Sequence, residues 1–171
     1  MKDIVIQKNF LDEQDFINLK NLFLNENLNG LYFFYCKEAS GVNKPSLDNY
    51  QFYHTFYENG LPSSPFLEIL NPILNKIKPA ALIRVKANCT PRTNKIIVHG
   101  MHTDTPHPNA TSGVFYLNTN DGFTKFKNKI KIKSEENKFV SFPSELEHSG
   151  STHTSGDSLR MVINFVYFKS S

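Results

Sequence analysis

The sequence predicts a mainly β, α+β domain in which N-terminal helices support a sandwich or jelly-roll body. Up to residue 79, the clearest signals are two segments with apolar residues at helical spacing. From residue 80 onward, short apolar or alternating segments follow one another and are separated by turn clusters. Aromatic residues make up 13% of the chain, and this content favours sheet packing.

Length and composition describe one ordinary globular domain over residues 1–171. A chain of 171 residues can bury a sizeable core, and its 39% hydrophobic and 20% charged content is unremarkable for such a domain. We expect residues 1–79 to supply helical support and a lid region. Residues 80–171 are expected to supply the core strands, and the protein is expected to be a monomer.

The N-terminal elements are predicted from apolar spacing and turn residues. "DIVIQ" predicts a short strand, and a helix follows from a cap at Asp12 to a stop at Asn29-Gly30. "LYFFYC" is typical of a buried strand. Residues 37–62 show no clear element and are interpreted as a long ordered loop or lid. "SPFLEILNPILNKI" predicts a second helix that Pro72 splits.

The C-terminal half predicts six strands of the body. They are "ALIRVKAN", "KIIVHGMH", "TSGVFYLNT", "TKFKNKIKIKS", "NKFVSFPS" and "SLRMVINFVYF", with turns such as "PRTN", "TNDG" and "TSGD" between them. Lysine and isoleucine alternate over 129–133, so one face of that strand should be solvated and the other buried.

Charge and motif content exclude several classes of protein. The net charge of +3 permits an anionic ligand but lacks the clustered basic charge of a nucleic-acid binder. Two cysteines form neither a disulfide framework nor a cysteine-based zinc site. The sequence has no signal-peptide pattern and no apolar run near the ~18 residues that span a membrane. A reducing cytoplasm, including a host cytoplasm for a phage-encoded protein, is the expected compartment.

The stretch "VHGMHTDTPH" contains a candidate metal site. Residues i and i+2 of a strand point to one side, so His102 and Asp104 can present two ligands together. Two His and one carboxylate with open positions are the ligand set of non-haem iron. His148, after "NKFVSFPSELE", is the candidate third ligand, and His153 is its rival. A surface or core histidine is the alternative reading of His102.

The remaining histidines are interpreted as bystanders. His99 and His107 flank the pair, and His54 lies in the unassigned region 37–62. His148 is preferred to His153 because it directly follows the turn after "FVSFPS", whereas His153 lies within the turn-like "STHTSGD". We therefore expect His54, His99, His107 and His153 to have loop or rim roles.

Residues 80–168 resemble the Fe(II)- and 2-oxoglutarate-dependent dioxygenases, above all the prolyl-hydroxylase branch and small, often phage-encoded relatives. Several features follow one another in family order. They are the His-x-Asp, the "FYLN" strand, the "DGFTKF" segment, the "FVSFPS" strand, His148 and then Arg160. Such an ordered series is far more specific than the tripeptide alone.

The resemblance implies a double-stranded β-helix, a squashed jelly roll, in which His102, Asp104 and His148 bind Fe(II). It implies that Arg160 binds the far carboxylate of 2-oxoglutarate, for which a planar guanidinium is well suited. It further implies that the Tyr116 hydroxyl meets the same carboxylate, although a core aromatic is the alternative. Cosubstrate contacts are also expected from two further residues, Thr124 and Asn88.

The implied reaction uses O2 and 2-oxoglutarate and releases succinate and CO2, with stimulation by ascorbate as a further expectation. The substrate implied is a prolyl residue in a peptide or protein, or a free amino acid. Tyr50 and Tyr53 are candidate lid residues over it. A nucleic-acid demethylase and a non-catalytic jelly-roll binding module are the alternatives.

Three departures from the family pattern leave the substrate open. Thr90 stands near the position where many prolyl hydroxylases carry a tyrosine, and Asp121-Gly122 replaces a Gly-Gly pair. The chain also has no Trp, which some relatives carry in the last strand. None of these departures affects the proposed ligands.

Overall fold

A computed structural model describes residues 4–24, 31–39 and 49–170. Two α-helices and eleven strands are assigned within these ranges, together with a 3-10 turn at Leu67–Leu70. The helices are α1 Glu13–Leu24 and α2 Asn71–Ile77. The strands are β1 Val5–Gln7, β2 Phe34–Cys36, β3 Gln51–Glu58, β4 Leu61–Pro62, β5 Pro79–Pro91, β6 Thr111–Tyr116, β7 Phe123–Phe126, β8 Lys131–Lys133, β9 Lys138–Pro143, β10 His148–Ser149 and β11 Leu159–Lys169.

The larger sheet has the strand order β1-β9-β6-β11-β5-β3-β2, and β4 pairs with β3. All these neighbours are antiparallel, and the longest pairing joins β5 to β11. The smaller sheet has the order β10-β7-β8. This mainly β architecture with N-terminal helices confirms the predicted fold class.

Side-chain alternation places the two cores on opposite faces of the larger sheet. On β5, Val85, Ala87 and Cys89 face the helices, where Phe16, Leu19, Phe23, Leu70 and Ile73 join them in one cluster. On the other face, a second cluster forms from Val114, Tyr116, Phe126, Ile132, Val140, Phe142 and Val162. Phe115 and Tyr116 therefore lie in different cores, as successive residues of a strand must.

Two N-terminal expectations are confirmed in part. Helix α1 begins directly after Asp12, whose carbonyl accepts a hydrogen bond from Phe16 N at 2.9 Å. The predicted stop at Asn29-Gly30 lies outside the described residues. Pro72 occupies the first turn of α2, so the predicted helix is split into a 3-10 turn and an α-helix. In the described part of the chain, no helix is long and apolar enough to cross a membrane.

The expectation that residues 37–62 hold no regular element is wrong for the part that is described. Gln51–Glu58 form β3, which pairs with β5 on one side and with β2 and β4 on the other. Residues 40–48 lie outside the described residues. The predicted buried strand at "LYFFYC" shrinks to β2, where Phe34 and Tyr35 are exposed because β2 is an edge strand.

Two of the predicted C-terminal strands are also corrected. Residues 124–134 do not form one strand; they form β7 and β8, joined by a turn that includes Lys129 at positive φ. The segment 95–102 makes only isolated bridges, Val98 with Ser151 and His102 with His148. That segment therefore runs beside β10 and the residues that follow it without forming a continuous strand.

Candidate metal centre

Three side chains predicted as metal ligands lie together between the two sheets. His102, Asp104 and His148 each offer one ligand atom, and these atoms lie within 4.8 Å of one another. His102 and His148 exchange both backbone hydrogen bonds, each at 2.9 Å, so that the two ligands form an isolated antiparallel bridge. The backbone itself therefore fixes the separation of the two histidines.

Both imidazoles are oriented by a carbonyl two residues earlier in the chain. The Nδ1 of His102 lies 3.2 Å from the Gly100 carbonyl oxygen, and the Nδ1 of His148 lies 3.0 Å from that of Leu146. A carbonyl accepts only, so each Nδ1 carries the hydrogen and each Nε2 keeps its lone pair. The Nε2 atoms point toward the Asp104 carboxylate, at 4.0 Å and 3.5 Å.

The Asp104 carboxylate is held from two directions. Arg84 Nη2 donates to Oδ1 at 3.0 Å, and Ser112 Oγ donates to Oδ2 at 2.5 Å. The side chain is 8% exposed, so these contacts compensate for the burial of its charge. Burial lowers the pKa of His148 from its ordinary value, and the charge of Asp104 opposes that effect. The neutral imidazole that a metal requires is thereby favoured.

A cavity of about 310 Å³ contains this group of ligands. Its walls come from β5, β11 and β6 on one side and from the segment 99–104, β7 and β10 on the other. The lining residues are Cys36, Glu38, Gln51, Arg84, Lys86, Asn88, Thr90, His99, His102, Thr103, Asp104, Val114, Thr124, His148, Gly150, Arg160, Val162 and Asn164.

Arg160 lies at the end of the cavity away from Asp104. It is 4% exposed, and its Nε donates to Ser134 Oγ at 2.7 Å. Among the described residues, no carboxylate forms an ion pair with it, although burial lowers its pKa from the ordinary value. An arginine remains charged in a protein, so a buried and unpaired cation faces the cavity here.

Two neighbours shape the path of the Arg160 side chain. A Cβ on Gly122 would lie 2.6 Å from Arg160 Cδ, so only glycine lets the guanidinium stem pass at this point. The guanidinium carbon lies 5.8 Å from the centre of the Tyr116 ring. The glycine of the "DG" segment is therefore needed for the observed position of the Arg160 side chain.

Tyr116 is buried behind Thr124 and does not line the cavity. The two hydroxyl oxygens are 2.7 Å apart, and Thr124 is the one that reaches the cavity wall. Burial raises the pKa of Tyr116, so its hydroxyl remains a donor. Asn88 does line the cavity, and its Oδ1 has no hydrogen-bond partner among the described residues.

Comparison with solved structures identifies the architecture. Over 99% of this chain and 84% of the other, the fold matches a prolyl hydroxylase from Trichoplax adhaerens, in complex with a hypoxia inducible factor oxygen degradation domain peptide fragment, at a TM-score of 0.69 and 16% identity. An oxidoreductase of the 2OG-Fe(II) oxygenase family from Burkholderia pseudomallei matches over 98% and 86%, at 0.65 and 12%. The chain has the fold of the 2OG-Fe(II) oxygenases.

This oxygenase fold also carries other activities. The non-heme alpha ketoglutarate dependent epimerase SnoN from nogalamycin biosynthesis matches over 99% of this chain and 79% of its own, at a TM-score of 0.63 and 13% identity. No family sequence model and no curated protein sequence matches this chain. The function is therefore inferred from the arrangement of the site rather than from overall sequence similarity.

Within the oxygenase fold, the residues present fit both groups that this family binds. Two imidazole nitrogens and one carboxylate are the donors that non-haem Fe(II) takes while keeping open positions. Arg160 offers an unpaired buried cation for a carboxylate, and Thr124 adds a hydroxyl beside it. Both groups can therefore be accommodated in one cavity.

The remaining predicted site residues lie outside the cavity. Tyr53 packs under the Lys86 ammonium, with Nζ 4.2 Å from the ring centre, and Tyr50 packs against Tyr35 and Phe52. His153 is buried away from the ligands, where its Nε2 bonds to the Asp157 carbonyl oxygen at 2.9 Å. His153 is therefore not placed to bind the metal.

Several residues of the cavity and its supports are not predicted from the sequence, namely Arg84, Lys86, Ser112, Ser134 and Asn164. His99, predicted to be a bystander, lines the cavity, and its Nε2 has no partner among the described residues. Burial, then the charges of Arg160 and His102, lower the pKa of His99 to about 4. The sequence contains a signal for the residues on β5. Polar side chains recur there at every second position, so they lie on one face of the strand.

Proposed function

We propose that this protein is an Fe(II)- and 2-oxoglutarate-dependent oxygenase that hydroxylates a C–H bond of a prolyl residue or of a free amino acid. The overall reaction converts substrate R–H, O2 and 2-oxoglutarate into R–OH, succinate and CO2. The observation that carries the proposal is the presence in one cavity of His102, Asp104 and His148 together with the buried Arg160, which forms no ion pair with any described residue.

Each side chain has a defined task in this proposal. His102, Asp104 and His148 hold Fe(II), which, when bound, supplies the chemistry that activates O2. Arg160 binds the far carboxylate of 2-oxoglutarate, and Thr124 donates a hydrogen bond beside it. Asn88, whose Oδ1 has no hydrogen-bond partner in the described part of the chain, borders the cosubstrate. Tyr116 holds the Thr124 hydroxyl and stacks beneath Arg160.

Two alternatives are less well supported by the same cavity. A jelly-roll module that only binds a metal does not need a buried cation without a partner, because burying that charge is costly. A nucleic-acid demethylase is disfavoured by the small net charge of +3. Epimerisation occurs on the same fold in SnoN, so the reaction type has to be tested directly.

Succinate release and product mass test the proposal. The protein with Fe(II), 2-oxoglutarate and O2 is offered panels of peptides, free amino acids and oligonucleotides. We expect succinate to form in step with a product that gains one oxygen atom, and His102→Ala to abolish both signals. A product of unchanged mass would indicate epimerisation. If neither Fe(II) nor 2-oxoglutarate shifts the melting temperature, the proposed function is wrong.

A further inference from the structure

Beyond the metal ligands and Arg160, the cavity is lined by three charged side chains, Arg84, Lys86 and Glu38. Arg84 and Lys86 are two residues apart on β5, so both project from the same face of the larger sheet. Cys36 and Gln51, which pair with each other across β2 and β3, line the cavity at the level of Thr90, because Phe52 pairs with Cys89. Arg160 lies farther along, opposite Thr90 at the other end of the face.

The Lys86 ammonium has no anionic partner in the described parts of the chain. Its contact is the face of Tyr53, with Nζ 4.2 Å from the ring centre, and no carboxylate forms an ion pair with it. Burial, followed by the neighbouring charge of Arg84, lowers the pKa of Lys86 from its ordinary value. A partly desolvated ammonium beside a second cation is a favourable place for an anion.

Arg84 has an N–H donor that makes no hydrogen bond with the described residues. Nη2 is bound to Asp104, whereas Nε is buried and has no hydrogen-bond partner in the described structure. The carboxylate of Asp104 is committed to the metal site in the function proposed above. The one carboxylate partner of Arg84 is therefore shared with the proposed metal, and Lys86 has no carboxylate partner among the described residues, so an additional anion would balance the charge at this end of the cavity.

We propose that the substrate is a free amino acid whose carboxylate is bound by Lys86 and the unengaged N–H groups of Arg84. This proposal rests on the oxygenase function proposed above, and it selects one of the two substrate classes named there. A prolyl residue within a peptide brings no charge to Lys86. A nucleotide is disfavoured because a cavity of about 310 Å³ is shared with the cosubstrate.

The test measures binding without turnover. The protein loaded with Fe(II) and 2-oxoglutarate, in the absence of O2, is offered the protein amino acids as free acids, as methyl esters and as N-acetyl derivatives. We expect at least one free acid to raise the melting temperature and its methyl ester to fail, because the ester removes the negative charge. The N-acetyl derivative should bind more weakly, since the added acetyl group has to fit into a cavity that also holds 2-oxoglutarate.

Calorimetry on variants then assigns the contact to Lys86. Lys86→Met keeps much of the side-chain volume but removes the charge, and we expect it to raise the Kd of that amino acid by about tenfold or more. Lys86→Arg should restore most of the affinity, because it returns a cation to the same place. The matched control is Lys169→Met, at an exposed lysine near the end of β11.

Clear outcomes would overturn the proposal. It is wrong if acid and ester bind equally, if Lys86→Met binds as tightly as the unaltered protein, or if no free amino acid binds. Binding of only end-blocked peptides or of oligonucleotides would also reject it. The melting-temperature shift with Fe(II) and 2-oxoglutarate alone tests the oxygenase function, so failure of that function is distinguished from failure of the amino-acid site.

Discussion

Ser112 on β6 donates a 2.5 Å hydrogen bond to Oδ2 of Asp104, which lies on a segment outside the sheets. The contact ties a proposed metal ligand to the rigid larger sheet. Groups that orient a ligand in this way typically contribute 10–100-fold, by rough measure, to metal affinity. Arg84 makes a comparable contact with Oδ1.

We therefore expect Ser112→Ala to weaken Fe(II) binding by about 10–100-fold without preventing folding. Anaerobic calorimetry with Fe(II) measures this effect. Ser141→Ala is the matched control, because Ser141 is a buried serine of the neighbouring strand β9 and makes no contact with Asp104. Equal Fe(II) affinities for the two variants would show that Ser112 does not orient the ligand.

Arg160→Gln should raise the Kd of 2-oxoglutarate by at least about 30-fold, since loss of a buried charged partner costs roughly 2–5 kcal/mol. Glutamine retains a donor but loses the charge and the planar fork that match a carboxylate. Calorimetric titration with 2-oxoglutarate measures the effect. Arg92→Gln, at an exposed arginine near the end of β5, should bind the cosubstrate as the unaltered protein does.

Gly122→Ala tests whether the path of Arg160 sets cosubstrate affinity. The added methyl would meet Arg160 Cδ at 2.6 Å and Asn120 Oδ1 at 2.8 Å, so the arginine has to move. Overpacking of this kind costs about 1–3 kcal/mol. We expect a weaker affinity for 2-oxoglutarate and a lower melting temperature. If the melting temperature falls while the affinity for 2-oxoglutarate is unchanged, the path of Arg160 affects packing but does not set cosubstrate affinity.

Tyr116 and Thr124 should differ in their effect on the cosubstrate. Thr124 lines the cavity, whereas the Tyr116 hydroxyl lies behind it at 2.7 Å. We expect Thr124→Val to weaken 2-oxoglutarate binding by about tenfold and Tyr116→Phe to weaken it less, since one neutral hydrogen bond contributes about 0.5–1.5 kcal/mol. A larger effect of Tyr116→Phe would support direct contact between Tyr116 and the cosubstrate.

Much of the site was predictable because its residues carry chemistry at recognisable intervals. His102 and Asp104 stand two residues apart, and His148 and Arg160 follow in the family's order. The sequence shows that Arg84 and Lys86 are basic residues of a strand, but it does not show that they line the cavity. They alternate with Val85 and Ala87, yet the sequence does not show which face of β5 meets the metal ligands.

The fold was less predictable where a buried polar residue interrupts an aromatic segment. In β3, His54 breaks the apolar pattern, but its two ring nitrogens bond to the Tyr32 carbonyl oxygen and to Ser64 Oγ. Those partners come from other segments, so the strand is specified by tertiary contacts rather than by its own alternation. The depth of the Tyr116 hydroxyl behind Thr124 likewise depends on how the two sheets approach each other.

The stability of the metal-free protein should fall as the pH decreases from about 7 to about 4. Burial is the largest cause that lowers the pKa of His99, from 6.5 to about 4, and it also lowers the pKa of His54. Between these values the unfolded chain binds a proton that the folded protein excludes, so acid favours unfolding. The full contribution is present above the unfolded pKa, and for His99 the loss totals about 3 kcal/mol.

Urea unfolding of the metal-free protein across this pH range measures the slope. We expect His99→Gln to flatten the decline, because glutamine removes the titrating group from the buried position. His107→Gln is the matched control, since His107 is exposed. If the two variants lose stability in parallel between about pH 7 and about pH 4, burial of His99 does not contribute to acid unfolding. A decline that steepens in His99→Gln would likewise contradict the sign of the linkage, because removing a group that is excluded from protonation can only reduce the slope.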